Sequence, residues 1–155
     1  MKPKMKPKMK PEIKQLTYLD DIYKVILSFN ADIVPSMTER GLDLKDYAQK
    51  LCDHAIMFTL WQDSQECGFV TFYANDTLTE TAYLAQIAVK PKFCNQGLGY
   101  ILLKLAMETA KEKGMKQMKL EVYNLNQTAI SFYIKHGFTI SLVGPGEFSY
   151  MQKVL

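Results

Sequence analysis

Cysteine is scarce and unpatterned in this chain: Cys52, Cys67 and Cys94 are odd in number and no two stand in CxxC spacing. That excludes a disulfide framework and a zinc ribbon or finger, and it fits reduced thiols in a cytoplasmic protein. Histidine is scarcer still, with His54 and His136 alone, and no metal site is expected. No stretch approaches the roughly 18 uninterrupted apolar residues of a membrane span, and no signal-peptide apolar core follows the basic N-terminus. A membrane role is therefore not expected. Positive charge is missing too once the first ten residues are set aside. Lys2, Lys4, Lys6, Lys8 and Lys10 account for five of the nineteen basic residues, and the other fourteen face sixteen acidic ones, a balance of −2. The basicity belongs to a leader rather than to a binding face, which argues against nucleic acid as a partner.

What is present suits one globular domain: 155 residues, of which 48% are apolar. Residues 1–11, a tandem Lys/Pro/Met repeat with no apolar face, are expected to be a disordered leader, best explained as an alternative start or an artefact. Residues 12–155 form the domain. Glu12 to Leu16 reads as a strand, and Thr17, three residues before Asp20, reads as a capping-box start for a helix over Tyr18 to Phe29, whose stripe is Ile22, Val25, Ile26 and Phe29. The polar connection Asn30 to Gly41 is placed to cover a groove. Asp43 reads as the N-cap of a second helix ending near His54. A hairpin follows, Ala55 to Trp61 and Gly68 to Ala74 around DSQEC, and then a strand over Glu80 to Val89. Beyond it the spacing predicts a helix with the stripe Leu98, Ile101, Leu102, Leu105 and Thr109, closed by Gly114. Lys116 to Tyr123 alternates, with Met118, Leu120 and Val122 on one face and Gln117, Lys119, Glu121 and Tyr123 on the other; reached by a helical crossover, this strand should run parallel to the one ending at Val89. Asn126 caps a fourth helix ending at Gly137, and a last hairpin turns at GPGE. His136, one residue before that glycine, stands where the helix dipole favours a cation, which suggests a structural role. Phe29, Tyr47, Trp61, Phe72 and Tyr73 are expected mainly in the core, with an acceptor pocket as the alternative.

The chemistry concentrates in Gln86 to Gly99, QIAVKPKFCNQGLG, where an apolar strand is stopped by Pro91 and a polar loop delivers Gly97 and Gly99 to the start of a helix. Unpaired first-turn amides and the positive end of the helix dipole suit phosphate, and glycines let a bulky anion approach. A Walker loop is excluded because Tyr100 and Ile101 stand where Lys and Ser/Thr would be needed, and a dinucleotide fingerprint lacks its third glycine.

This run resembles the acyl-CoA pyrophosphate loop of the GNAT family of N-acetyltransferases, and LEVYNLNQTAISFYIKHGF resembles that family's next motif, with Asn126, Ala129, Tyr133, Gly137 and Phe138 in register. The resemblance covers residues 80 to 140. It implies an α/β (α+β) fold of the GNAT type, a mixed, mostly antiparallel sheet of about seven strands splayed in the middle, with about four helices. It also implies acetyl-CoA as co-substrate, without metal. The binding residues carried over are Ile87, Ala88 and Val89 on the strand, Cys94, Asn95, Gln96, Gly97, Leu98, Gly99 and Tyr100 at the loop, and Asn126 and Tyr133 on the second motif. Cys94 departs from the family's usual Gln or Arg, which removes a long polar side chain from the loop. It lies beside a helix N-terminus, where thiolates are favoured, yet it has no partner pattern and reads as a binding-loop residue.

The implied roles are specific. An amide near Ile87 or Ala88 is the oxyanion donor. Tyr133 is the acid for the leaving thiolate, against a structural reading as an ordinary core aromatic. Glu121, twelve residues earlier, is the base, against a solvated strand carboxylate paired with Lys119 or another cation. The resulting reading is direct transfer of acetyl from coenzyme A to a primary amine. Asp32, Glu39 and Asp43 favour a cationic small molecule such as an amino sugar, polyamine or antibiotic, while the Glu121 and Tyr133 spacing allows a protein N-terminus. A non-catalytic acyl-CoA sensor and a leader-driven nucleic-acid binder are the competing classes. The oligomer is expected to be a monomer or homodimer.

Overall fold

A computed structural model of the chain describes residues 10–155, so the repeat of the leader lies almost wholly outside the described residues. Seven strands and four α-helices follow one another as β1 (Glu12–Leu16), α1 (Leu19–Phe29), α2 (Leu44–His54), β2 (Ile56–Gln62), β3 (Gln65–Tyr73), β4 (Thr81–Val89), α3 (Leu98–Glu112), β5 (Gln117–Tyr123), α4 (Gln127–Lys135), β6 (Thr139–Val143) and β7 (Phe148–Val154). The strands form one sheet in the order β1-β2-β3-β4-β5-β7-β6. All neighbours are antiparallel except β4 and β5, which are joined through the helical crossover α3.

Each face of the sheet carries its own core. On one side Ile22, Val25, Ile26 and Phe29 of α1 and Ala48 and Leu51 of α2 pack over Met57 and Phe69. On the other, Leu102, Leu103, Ala106 and Ala110 of α3 cover Val70, Phe72, Leu84, Met118 and Leu120, with Tyr133 of α4 joining them. Two large apolar layers on one twisted sheet are what let a chain of this length hold a cleft open.

The structure differs from the sequence expectation at three places. The α1 N-cap is Tyr18, without a side-chain cap, so Thr17 makes no capping box; the first turn instead carries Asp20 and Asp21 at the positive end of the dipole. The buried stripe of α3 is Leu98, Leu102, Leu103, Ala106 and Ala110, rotated from the predicted one because small alanines let the helix seat close to the sheet, while Ile101, Leu105 and Thr109 lie at its margins. The β2–β3 hairpin is tighter than DSQEC suggests. Asp63 and Ser64 both adopt positive φ (51° and 62°), a two-residue turn matched to strand twist, so β3 starts at Gln65. Other caps agree with the reading: Asp43 accepts from the Asp46 amide and Asn126 from the Ala129 amide.

Candidate active site

The sheet parts in its middle. β4 and β5 pair only from Thr81 with Gln117 to Leu84 with Leu120. Past that point β4 continues against β3 as far as Val89, and β5 continues against β7 as far as Tyr123. The two strand ends therefore diverge, and each has an edge without a partner among the described residues. A bulge sets the divergence. Thr71 faces Gln86 and Phe72 faces Leu84, leaving Ala85 without an opposite residue, and such an insertion bends its strand. The exposed edge has a definite identity. Lys90 donates its amide to the Cys67 carbonyl on β3 (2.8 Å). Backbone groups alternate sides along a strand, so Ala88 faces β3 as well, and the amides of Ile87 and Val89 face the gap. Of the two expected oxyanion donors, Ile87 is the one turned to the opening; Ala88 is turned away.

At the end of β4 the chain makes a 3-10 turn over Pro91–Phe93 and enters α3 through Asn95 and Gly97, both with positive φ (64° and 77°). Gly97 is the N-cap. It has no side chain to satisfy the first turn, and the first helical bond is from the Ile101 amide to the Gly97 carbonyl (3.3 Å). No acidic residue stands in that turn either, unlike α1. Amides of Leu98, Gly99 and Tyr100 are thus left for an anion, as a phosphate site requires. The two glycines differ in their reasons. A Cβ on Gly97 would meet nothing within 4 Å, so its demand is the left-handed backbone, whereas a Cβ on Gly99 would press on Phe132 of α4 at 3.4 Å.

A groove of about 590 Å³ runs from this helix start toward α4, lined among others by Val89, Cys94, Asn95, Gly99, Asn126 and Tyr133. Gln96 is exposed and does not line it. Cys94 is exposed, its Sγ directed at the carbonyls of Val89 (3.8 Å) and Lys90 (3.5 Å). His136 also lines the groove, stacked on Tyr100 of the first turn of α3 at 4.4 Å. Burial, with Lys135 and Lys153 nearby, lowers its pKa, so the cation expected at that helix end is disfavoured.

On the opposite face of the parted strands lies a smaller cavity of about 140 Å³, bounded by Glu121 of β5 and by Asp32, Pro35 and Arg40 from the α1–α2 connection, which does cover a groove as expected. Ile87, Asn126, Ala129 and Tyr133 line both the groove and this cavity. Tyr133 is 8% exposed, edge-on to Phe138 at 5.6 Å, and burial pushes its phenol above the ordinary range. Glu121 is not a free carboxylate: Arg40 donates to its Oε1 at 2.7 Å while the guanidinium stacks on Phe148 at 4.5 Å. The cation is Arg40 rather than Lys119. Arg40 went unnoticed in the sequence, although it is the only arginine among nineteen basic residues.

The acidic residues thought to attract a cationic acceptor are otherwise engaged. Asp32 pairs with Lys90 (2.8 Å), Glu39 accepts from Ser36 (3.0 Å) and Asp43 caps α2. Among the expected aromatics, Phe29 and Phe72 are core, Trp61 donates to Thr59 (2.9 Å), and Tyr47 and Tyr73 line a further chamber. Among the described residues no group of three or more His, Cys, Asp or Glu is placed to hold a metal ion, and no helix is long and apolar enough to cross a membrane.

A family model described as acetyltransferase (GNAT) family matches residues 22–138. The chain belongs to this family. Relatives of this GNAT domain include the spermidine N(1)-acetyltransferase of Thermoplasma acidophilum, 29% identical over 59% of this chain and 55% of that protein. The [ribosomal protein bS18]-alanine N-acetyltransferase of Escherichia coli is 30% identical over 61% of this chain and 62% of that one. The chain thus spans little more than half the length of these curated relatives. Among solved structures, the PaiA N-acetyltransferase of Thermoplasma acidophilum in complex with coenzyme A superposes with a TM-score of 0.74 at 22% identity, covering 95% of this chain and 100% of that one. The GNAT fold expected from the sequence is therefore the fold observed.

Proposed function

We propose that this protein is an acetyl-CoA-dependent N-acetyltransferase that acetylates a primary amine by direct attack. The observation that carries the reading is the meeting of groove and cavity at Ile87, Asn126, Ala129 and Tyr133, through which a thioester held on one face is reachable from the other. The residues fit such a co-substrate: an uncapped helix start for a diphosphate, and a strand edge at Ile87 and Val89 for an amide-bearing arm. When bound, that group supplies an acyl carbon activated as a thioester.

The chain's own residues do the rest. The Ile87 amide donates to the carbonyl oxygen as it gains charge. Glu121 draws in the acceptor ammonium and takes its proton, directly or through water. A primary amine with pKa near 10 is about three units too protonated at neutral pH, which costs roughly 4 kcal/mol before attack. Tyr133, a phenol neutral at pH 7 and kept so to higher pH by burial, gives its proton to sulfur as the C–S bond breaks. Positioning contributes most, since holding amine and thioester in line removes roughly 7–11 kcal/mol of the barrier.

Free-thiol release from acetyl-CoA with a panel of amines tests this. The expected result is release that depends on the amine. A second reading, an acyl-CoA sensor without turnover, is favoured by the Arg40–Glu121 ion pair, which occupies the proposed base. It predicts acetyl-CoA binding with no thiol released for any amine and no change in Tyr133→Phe. For the acceptor, a small molecule fits the cavity of about 140 Å³; the bS18-alanine relative keeps a protein N-terminus as the alternative.

A further inference from the structure

Beside the cavity of Glu121 lies a chamber of about 180 Å³ that shares Arg40, Ala85 and Gln86 with it. Its polar lining is unlike that of its neighbour. Arg40 and Lys50 bring positive charge, Tyr47, Tyr73 and Tyr83 bring hydroxyls, and no carboxylate lines it. The Tyr73 hydroxyl is buried with no hydrogen-bond partner among the described residues. An orphaned buried donor is destabilising, and an acceptor brought to it would remove that cost. The Tyr47 hydroxyl accepts from Gln86 Nε2 at 3.2 Å, so its own proton is left to donate elsewhere. Lys50 stands 5.8 Å from the Tyr73 ring. Burial raises the pKa of Tyr47 and pushes Tyr73 and Tyr83 to about 12, which keeps all three hydroxyls protonated as donors.

Two cations and several tyrosine hydroxyls in one chamber, with Glu121 on Arg40 as the neighbouring carboxylate, form an anion subsite. With Glu121 already balancing part of Arg40, the local surplus is near one positive charge, which matches a carboxylate better than a dianionic phosphate. The guanidinium contacts Glu121 through one terminal nitrogen, and its planar fork is shaped for a second carboxylate. We infer that the acceptor is an amino carboxylate, whose amine enters the cavity of Glu121 and Tyr133 and whose carboxylate occupies the chamber of Arg40, Tyr47 and Tyr73. This rests on the N-acetyltransferase reading. The ammonium first loses one proton through Glu121 to solvent; the amine nitrogen then forms the new N–C bond, the C–S bond breaks, the second amine proton passes to Glu121 and sulfur gains one from Tyr133. Proton exchange with solvent restores the Glu121 carboxylate and the Tyr133 phenol. The acceptor's carboxylate is unchanged and serves only to orient it.

Matched pairs test the inference on the intact chain: lysine against cadaverine, ornithine against putrescine and phenylalanine against phenethylamine, with the amino-acid carboxamides as isosteric controls. The expected result is a kcat/KM for at least one amino acid about 10- to 100-fold above both its decarboxylated partner and its amide, the range of charge-assisted hydrogen bonds. That ratio should fall toward one in Tyr73→Phe and Arg40→Gln, chiefly through KM, with melting temperature recorded to show that each variant is folded. The wild-type comparison of acid with amide needs no variant. Amines turned over as well without the carboxylate as with it, or a peptide N-terminus preferred to every amino acid, overturn the inference and leave the transferase reading standing. A carboxylate preference that persists in both folded variants overturns this chamber as its source. Thiol release with no amine of any kind overturns the transferase reading and this inference with it.

Discussion

Tyr133 is a packed, buried residue that lines both cavities, and burial extends the range of pH over which its phenol keeps its proton. Because the pKa is raised, the acid form persists past pH 10, above the ordinary phenol range. The rate should therefore rise with pH as the acceptor loses its proton and then level off, with no falling limb below about pH 10. Tyr133→Phe keeps the ring contacts, so coenzyme A binding and melting temperature should hold while kcat drops by about 100-fold. A falling limb between pH 7 and 9, or an unchanged kcat in the variant, would remove Tyr133 as the acid. Motif register made Tyr133 and Asn126 legible in the sequence. Arg40 was not, because its partner Glu121 is 81 residues away and only the closing of the α1–α2 connection over β5 brings them together. Lys90 hid in the same way: its contact with Asp32 spans 58 residues and withdraws an acidic residue that looks available in the sequence.

At the level of elements, α4 and α3 each depend on one small feature. Asn126 both caps α4 at the Ala129 amide (3.1 Å) and lines the groove. Asn126→Ala should cost about 1 kcal/mol of stability through the lost cap. Asn126→Ser should recover that stability; if it leaves coenzyme A affinity reduced, the cofactor contact is separate from the cap, and full recovery of affinity would show that the cap alone matters. Helix α3 seats on β3 at Gly68, where a Cβ would meet Leu102 Cδ1 at 2.9 Å and the Ala88 carbonyl at 3.0 Å. Gly68→Ala should therefore destabilise by about 1–3 kcal/mol, as overpacking does, and calorimetry should show the melting point falling accordingly. An unchanged melting point would mean that α3 does not press on the sheet there. Most element types and orders were legible because period-2 alternation in β5 and capped apolar stripes in α2 and α4 are local signals. The start of α1 and the rotation of α3 were not. The rotation of α3 depends on how closely that helix approaches the sheet, which the sequence of one helix does not contain.

For the whole molecule, two cores on opposite faces hold a sheet whose central pair is joined at one end and open at the other. The mixed topology follows from alternating elements in the sequence. The opening was expected through the family resemblance alone; the bulge at Ala85 that accompanies it lies among neighbours that read as an unbroken strand. Everything proposed about acid, base and acceptor requires that this opening and the uncapped start of α3 receive coenzyme A. Isothermal titration of the intact protein with coenzyme A is the direct measurement, paired with a melting scan. One site per chain is the expected result. At a hundredfold excess over Kd the added stability should be about 2.7 kcal/mol, read as a rise in melting temperature of roughly 5–10 °C. No heat of binding and no change in melting temperature would contradict it.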